Sequence, residues 1–179
     1  VRMCPAETNG NHNLDDGTVV VCTPGAWADF DCAREYGYVC EVTPFSVNPA
    51  PPRFAVEPPC PEGYRLFGRN CYMFSSSKAR YADAEHACER LNGTLAAIEN
   101  QAENDFVTQH LTAVIGGNDD YWIGFHDRGT EMHFEWSGAQ TSSYTNWQQC
   151  TAEQQCTSEP NGAGGNGESV GDCVRMCPA

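Results

Sequence analysis

The 179-residue chain is 40% hydrophobic and 19% charged, with a formal net charge of −14. Lys78 and nine arginines face twenty-four carboxylates, a balance that repels nucleic acid and anionic membranes. The longest aliphatic run, Val19–Val21, is far too short to span a bilayer, and no charged segment followed by an apolar stretch opens the chain, so neither a membrane span nor a signal peptide is expected.

In chain order, Val19–Val21 and Tyr36–Glu41 predict short strands. Residues 1–42 carry Gly25-Ala-Trp27-Ala-Asp29 and then Tyr38-Val-Cys40-Glu41, and they read as the closing part of a domain. Residues 43–59 predict a linker: Pro44, Pro49, Pro51, Pro52, Pro58 and Pro59 favour polyproline II, whose ~3.1 Å rise gives a reach of roughly 50 Å. Residues 60–179 form a second folded region, opened by Cys60-Pro-Glu-Gly-Tyr64. Tyr81, Ala84, Cys88 and Leu91 repeat at helical spacing, with Ser75–Ser77 as N-cap candidates. Ala102, Phe106, Val107, Leu111 and Val114 predict a second helix, which Asn100 and Glu103 open as a capping box. Tyr121–Phe125 then reads as a buried strand. Met132, Phe134 and Trp136, alternating with His133 and Glu135, predict a half-buried one. Helices followed by strands indicate an α+β fold.

Eleven cysteines in a chain of this size point to structural disulfides and an oxidising, extracellular setting. No Cys-x-x-Cys occurs, and the five histidines have no zinc-site spacing. The odd cysteine has an explanation in the sequence. Val1-Arg2-Met3-Cys4-Pro5-Ala6 recurs as Val174-Arg175-Met176-Cys177-Pro178-Ala179, so Cys4 and Cys177 are two copies of one position and the period is 174 − 1 = 173 residues.

These residues resemble a C-type lectin-like domain. Cys60 and Cys71 resemble the N-terminal pair of the long form. Cys88 in the first helix, Leu95-Ala-Ala-Ile98, Trp122-Ile-Gly124, Phe134-Glu-Trp136, Tyr144-Thr-Asn-Trp147, Glu159-Pro160-Asn161 and Asp172-Cys173-Val174 follow in the family's order. The family's closing motifs resemble Trp27-Ala28-Asp29, Cys32 and Val39-Cys40-Glu41, which this chain carries at its front. The resemblance implies two helices, antiparallel sheets and a long calcium- and sugar-binding loop. It also implies the bridges Cys60–Cys71, Cys88–Cys40 and Cys173–Cys32, with Cys150–Cys156 and Cys177 (or its copy Cys4) to Cys22 completing the set. Residues 1–42 would then complete either the same domain, as a circular permutant, or a neighbouring unit of a head-to-tail array.

Calcium takes six to eight oxygen ligands. By the resemblance, Glu159 and Asn161, joined through a cis proline, are expected to ligate calcium and to hydrogen-bond a mannose-, glucose- or fucose-like sugar. Asp29 carries over as a further ligand for both. Ala28 stands where the family has an Asn, and Gly171 where it has a Glu, a role Glu168 is expected to take over. Asp127, Glu131 and Asp172 match an auxiliary calcium site. The Asn9–Gly17 stretch misses the EF-hand pattern, since Cys22 holds the twelfth position counted from Asn11, and it reads as a turn-rich insertion closed by Cys22.

Asn92-Gly93-Thr94 is a glycosylation sequon. No hydrolase motif frames the Ser, His and Asp residues, so no enzymatic activity is expected. Trp122, Trp136 and Trp147 are expected to pack the core. The expected function is an extracellular repeat unit of a head-to-tail array or filament whose partners are copies of itself and glycans, serving adhesion. A soluble or cell-surface lectin is the alternative.

Overall fold

The computed structural model describes residues 11–13, 19–21, 23–43, 60–114, 120–138, 140–149, 158–160 and 172–177. The elements in chain order are β1 (Asn11–Asn13), β2 (Val19–Val21), β3 (Trp27–Phe30), β4 (Gly37–Val42), β5 (Arg65–Phe67), β6 (Asn70–Phe74), α1 (Tyr81–Arg90), β7 (Thr94–Leu95), α2 (Gln101–Val114), β8 (Tyr121–His126), β9 (Glu135–Trp136) and β10 (Cys173–Met176). β1 and β2 pair with each other, antiparallel, within the stretch read as a turn-rich insertion. The large sheet runs β3-β10-β8-β4-β6-β5, with β7 added on β4 and β9 on β8.

The front of this chain and its end lie in one sheet. β10 pairs with β3 on one side and β8 on the other, Val174 opposite Asp29 and Arg175 opposite Ala28. β4 pairs in parallel with β8, and antiparallel with β6 and β7. β3, at the end of the sheet, and β8 and β10 within it are buried along their whole length. Tyr121, Ile123 and Phe125 of β8 pack into one core cluster and Trp122 into the other, which accounts for the unbroken apolar run Tyr121-Trp-Ile-Gly-Phe125. Gly124 is required by close approach: a Cβ there would meet the Leu95 carbonyl oxygen at 2.7 Å.

Two clusters make the core. One gathers Trp27, Val39, Tyr72, Ile98, Val107, Leu111, Ile123, Phe125, Trp136, Val174 and Met176. Trp27 is fully buried and meets Phe125, Trp136, Tyr144 and Trp147 edge-on at centroid distances of 5.6–6.1 Å, the arrangement aromatic quadrupoles favour. The second cluster holds Phe30, Tyr81, Ala84, Leu95 and Trp122 around the cysteines 40, 88 and 173. Disulfides Cys32–Cys173, Cys40–Cys88 and Cys60–Cys71 are present, at Cα separations of 5.3, 5.3 and 5.5 Å. Cys177 is also disulfide-bonded, whereas Cys4, Cys22, Cys150 and Cys156 lie outside the described residues.

Several local expectations need correction. The residue before α1 is Arg80, which makes no side-chain cap; Ser75 instead accepts from Tyr38 N–H and donates to the Ser77 carbonyl, so it serves the β4–β6 junction. Leu91 ends up exposed at the helix C-cap rather than on the buried stripe. Ala102 is exposed as well. The capping box of α2 is half formed: Asn100 Oδ1 accepts Glu103 N–H at 3.0 Å, but the Glu103 carboxylate reaches back to Glu99 N–H (2.7 Å) instead of Asn100. The period-two strand shrinks to Glu135–Trp136, because Met132 sits at φ +61° in a turn and is 53% exposed.

Candidate functional site

β3 and its neighbours position the carboxylates singled out in the sequence. The Trp27 carbonyl accepts Gln148 N–H, and the Gln148 carbonyl accepts Glu159 N–H, each at 2.8 Å, so Glu159 is tied through one residue to the edge of β3. The Glu159–Pro160 peptide bond is cis. Two residues along β3 from Trp27, Asp29 is 1% exposed. Asn161 and Glu168 lie outside the described residues.

Asp127 follows β8 directly. Its N–H donates to the Asp172 carbonyl (3.1 Å), its own carbonyl accepts Thr130 N–H, and its Oδ2 accepts Met132 N–H at 2.7 Å. That turn holds Asp127, Glu131 and Asp172 near one another just before β10. Oδ1 of Asp127 is buried and has no hydrogen-bond partner among the described residues. Burial raises the Asp127 pKa above the ordinary carboxylate range, and the charges of Glu131, Asp172 and Asp29 raise it further. Three carboxylates therefore bear on Asp127. Among the described residues, no group of three His, Cys, Asp or Glu side chains is already disposed around a metal position. The donor chemistry nonetheless fits calcium: hard oxygens, like charges acting on Asp127, and one buried oxygen lacking a donor among the described residues.

The scaffold behind the site is held by α1. Arg128 makes two 2.7 Å bonds to the Glu85 carboxylate and lies over the Tyr81 ring at 4.9 Å, while Ser137 donates to Glu85 at 2.8 Å. Beneath it, Arg175 of β10 is fully buried, ion-paired with Asp120 and stacked over Phe30 (4.8 Å) and Tyr36 (5.7 Å). Burial lowers the Arg175 pKa, which the charges of Tyr36 and Asp29 partly offset.

Sequence reasoning did not find the Arg175–Asp120 pair. Nor did it find a pair of buried carboxylates, Glu41 and Glu103. Glu41 accepts from Asn70 and, at 3.0 Å, from Ala97 N–H; Glu103 accepts from the Tyr72 hydroxyl. The available signals were an Arg flanked by Val and Met, and a Glu at the end of a valine-rich strand.

The lectin C-type domain family model matches residues 77–176. The chain belongs to the C-type lectin domain family, and its two helices, mixed sheet and disulfides are the corresponding α+β fold. It is similar to C-type mannose receptor 2 of Homo sapiens, 31% identical over 134 residues that make up 73% of this chain and 9% of the receptor. The low affinity immunoglobulin epsilon Fc receptor of Mus musculus is 36% identical over 117 residues, 65% of this chain and 30% of that protein. Perlucin of Haliotis laevigata is 34% identical over 106 residues, 59% of this chain and 63% of perlucin. The chain thus spans only a small part of the two receptors. No solved structure gives a significant match.

Proposed function

We propose that this is a calcium-dependent glycan-binding domain of the mannose/glucose type, working outside the cell. The observation that carries the reading is the buried Asp127 Oδ1, without a hydrogen-bond partner among the described residues, under the charges of Glu131, Asp172 and Asp29. A divalent cation would relieve that repulsion and supply the missing partner. In this reading Asp127, Glu131 and Asp172 would hold an auxiliary calcium. Glu159, Asn161 and Asp29, helped by Glu168, would hold the one that a pair of vicinal sugar hydroxyls coordinates. Ala28, buried opposite Arg175, offers no oxygen to that set, so the sugar-side site would rest on fewer ligands. The similarity to a mannose receptor is consistent with the sugar class.

The expected result is binding to a mannose-rich glycan array that chelator abolishes, together with a calcium-dependent rise in Tm. Glu159→Gln should remove glycan binding, and Asp127→Asn should weaken the calcium-induced rise in Tm. Glycan binding that is absent, or indifferent to chelator, refutes the proposal.

One observation favours a further organisation, a head-to-tail array or filament. The sequence of β10 and the residues after it occurs twice in the chain, 174 − 1 = 173 residues apart. A chain of several periods would give every domain its own β10, followed by the segment that supplies β3 and β4, with residues 43–59 as spacers. Repetition of weak sites suits a lectin, because linked sites gain avidity. The alternative is a permuted lectin that closes on itself. Refolding a mixture of 14N- and 15N-labelled protein separates completion between copies from closure within one chain. Mixed-isotope peptides bridged by Cys32–Cys173 are expected if neighbouring copies complete one another; bridges of a single isotope count for the permutant.

A further inference from the structure

We propose that Asn92 is an acceptor for an N-linked glycan. The sequon Asn92-Gly93-Thr94 falls at the turn leaving α1, where Asn92 is exposed and adopts φ +57°. Its backbone is already committed: Asn92 N–H donates to the Glu89 carbonyl (2.9 Å) and Gly93 N–H to the Cys88 carbonyl (3.0 Å). The turn therefore forms on backbone hydrogen bonds, and Asn92 is left exposed. The middle residue must be Gly because a Cβ would collide with the Glu41 carbonyl of β4. A sequon tolerates any middle residue but proline, so this packing constraint leaves the acceptor pattern intact.

One neighbour strengthens the assignment, and another sets when transfer takes place. Leu91, immediately before the acceptor, is 39% exposed and one of three large apolar side chains exposed among the described residues. A bulky, solubilising glycan on the next residue would cover it. Thr94, in contrast, is half-buried in β7, where it pairs with the Thr94–Glu41 register of β4. Transfer accordingly occurs on the extended chain, before β7 docks. In that step the Asn92 amide nitrogen forms a bond to the anomeric carbon of an oligosaccharide carried on a lipid pyrophosphate. The glycosyl–phosphate bond breaks, the amide proton is lost, and the lipid pyrophosphate leaves. The proposal is independent of calcium and of sugar recognition, so the failure of either leaves the other standing.

The test is to secrete the full chain from a eukaryotic host with N-glycosylation and to measure its intact mass before and after treatment with peptide N-glycosidase. A mass excess removed by the enzyme and mapped to the peptide containing Asn92 is expected. Thr94→Ser should keep the modification and Thr94→Val should lose it, while both keep a short side chain in β7. An unmodified Asn92 peptide in the secreted wild-type protein overturns the proposal, as does a glycan that persists in Thr94→Val.

Discussion

Asp120→Asn should lower the unfolding free energy by about 3–5 kcal/mol, the cost of leaving a buried charge without its partner. Both side chains are almost wholly inaccessible, Asp120 at 1% and Arg175 at 1% exposure. The guanidinium is stacked on Phe30 and Tyr36 and cannot reach water without pulling β10 from between β3 and β8. Because two buried ions each lose hydration, removing both is less harmful than removing one. Asp120→Asn combined with Arg175→Met should thus be more stable than Asp120→Asn alone. Urea denaturation at constant m reads both variants. A loss below about 1 kcal/mol for the single change would show that the ion pair contributes little.

The second large effect concerns Glu41. Burial raises its pKa from 4.5 to about 7, and the charges of Glu103 and Glu99 add to the rise against the lowering bond from Ala97. Below pH 4.5 the carboxyl is protonated in the folded and unfolded states alike, and its contribution to stability is complete. Between 4.5 and about 7 the unfolded chain releases the proton while the folded one keeps it, so stability falls as pH rises. By pH 8 the loss amounts to about 3 kcal/mol, at 1.36 kcal/mol per pKa unit. Glu41→Gln should flatten this part of the profile and stabilise the protein at pH 8 by a similar amount, measured in chelator so that no cation neutralises the pair. Glu103 and Asp127, also raised mainly by burial, leave a residual slope of the same sign. An unchanged profile in Glu41→Gln would place the carboxylate in water.

Much of the fold was legible because several short signals agreed in order. The run Tyr121–Phe125 was apolar on both faces because Tyr121, Ile123 and Phe125 enter one core cluster and Trp122 the other. Cys88 fell on the buried stripe of α1, beside Tyr81 and Ala84. What failed was local and polar. Nothing in Ser75–Ser77 indicates that Ser75 would serve β4 rather than α1, since a hydroxyl caps whichever backbone donor the tertiary fold presents. Met132 fits an alternating pattern as well as any strand residue, yet the Asp127 side chain captures its N–H and bends the chain into a turn. Arg175 and Asp120 are 55 residues apart, a pairing that no periodicity reveals. For the site itself, residue types were readable, since the charges of Asp29, Glu131 and Asp172 all bear on Asp127 in the fold. The buried oxygen of Asp127 was not, because burial of a single atom is a property of packing.

Val42 lies opposite Cys71, and Cys71 is bonded to Cys60. Val42 and Cys60, on either side of the proline-rich stretch, consequently lie close to each other. Cys32–Cys173 and Cys40–Cys88 meanwhile stitch the part before that stretch to the part after it. In a chain closed on itself in this way the peptide connection is redundant: a cut within it leaves a two-piece molecule still fastened, whose halves separate only under reducing conditions.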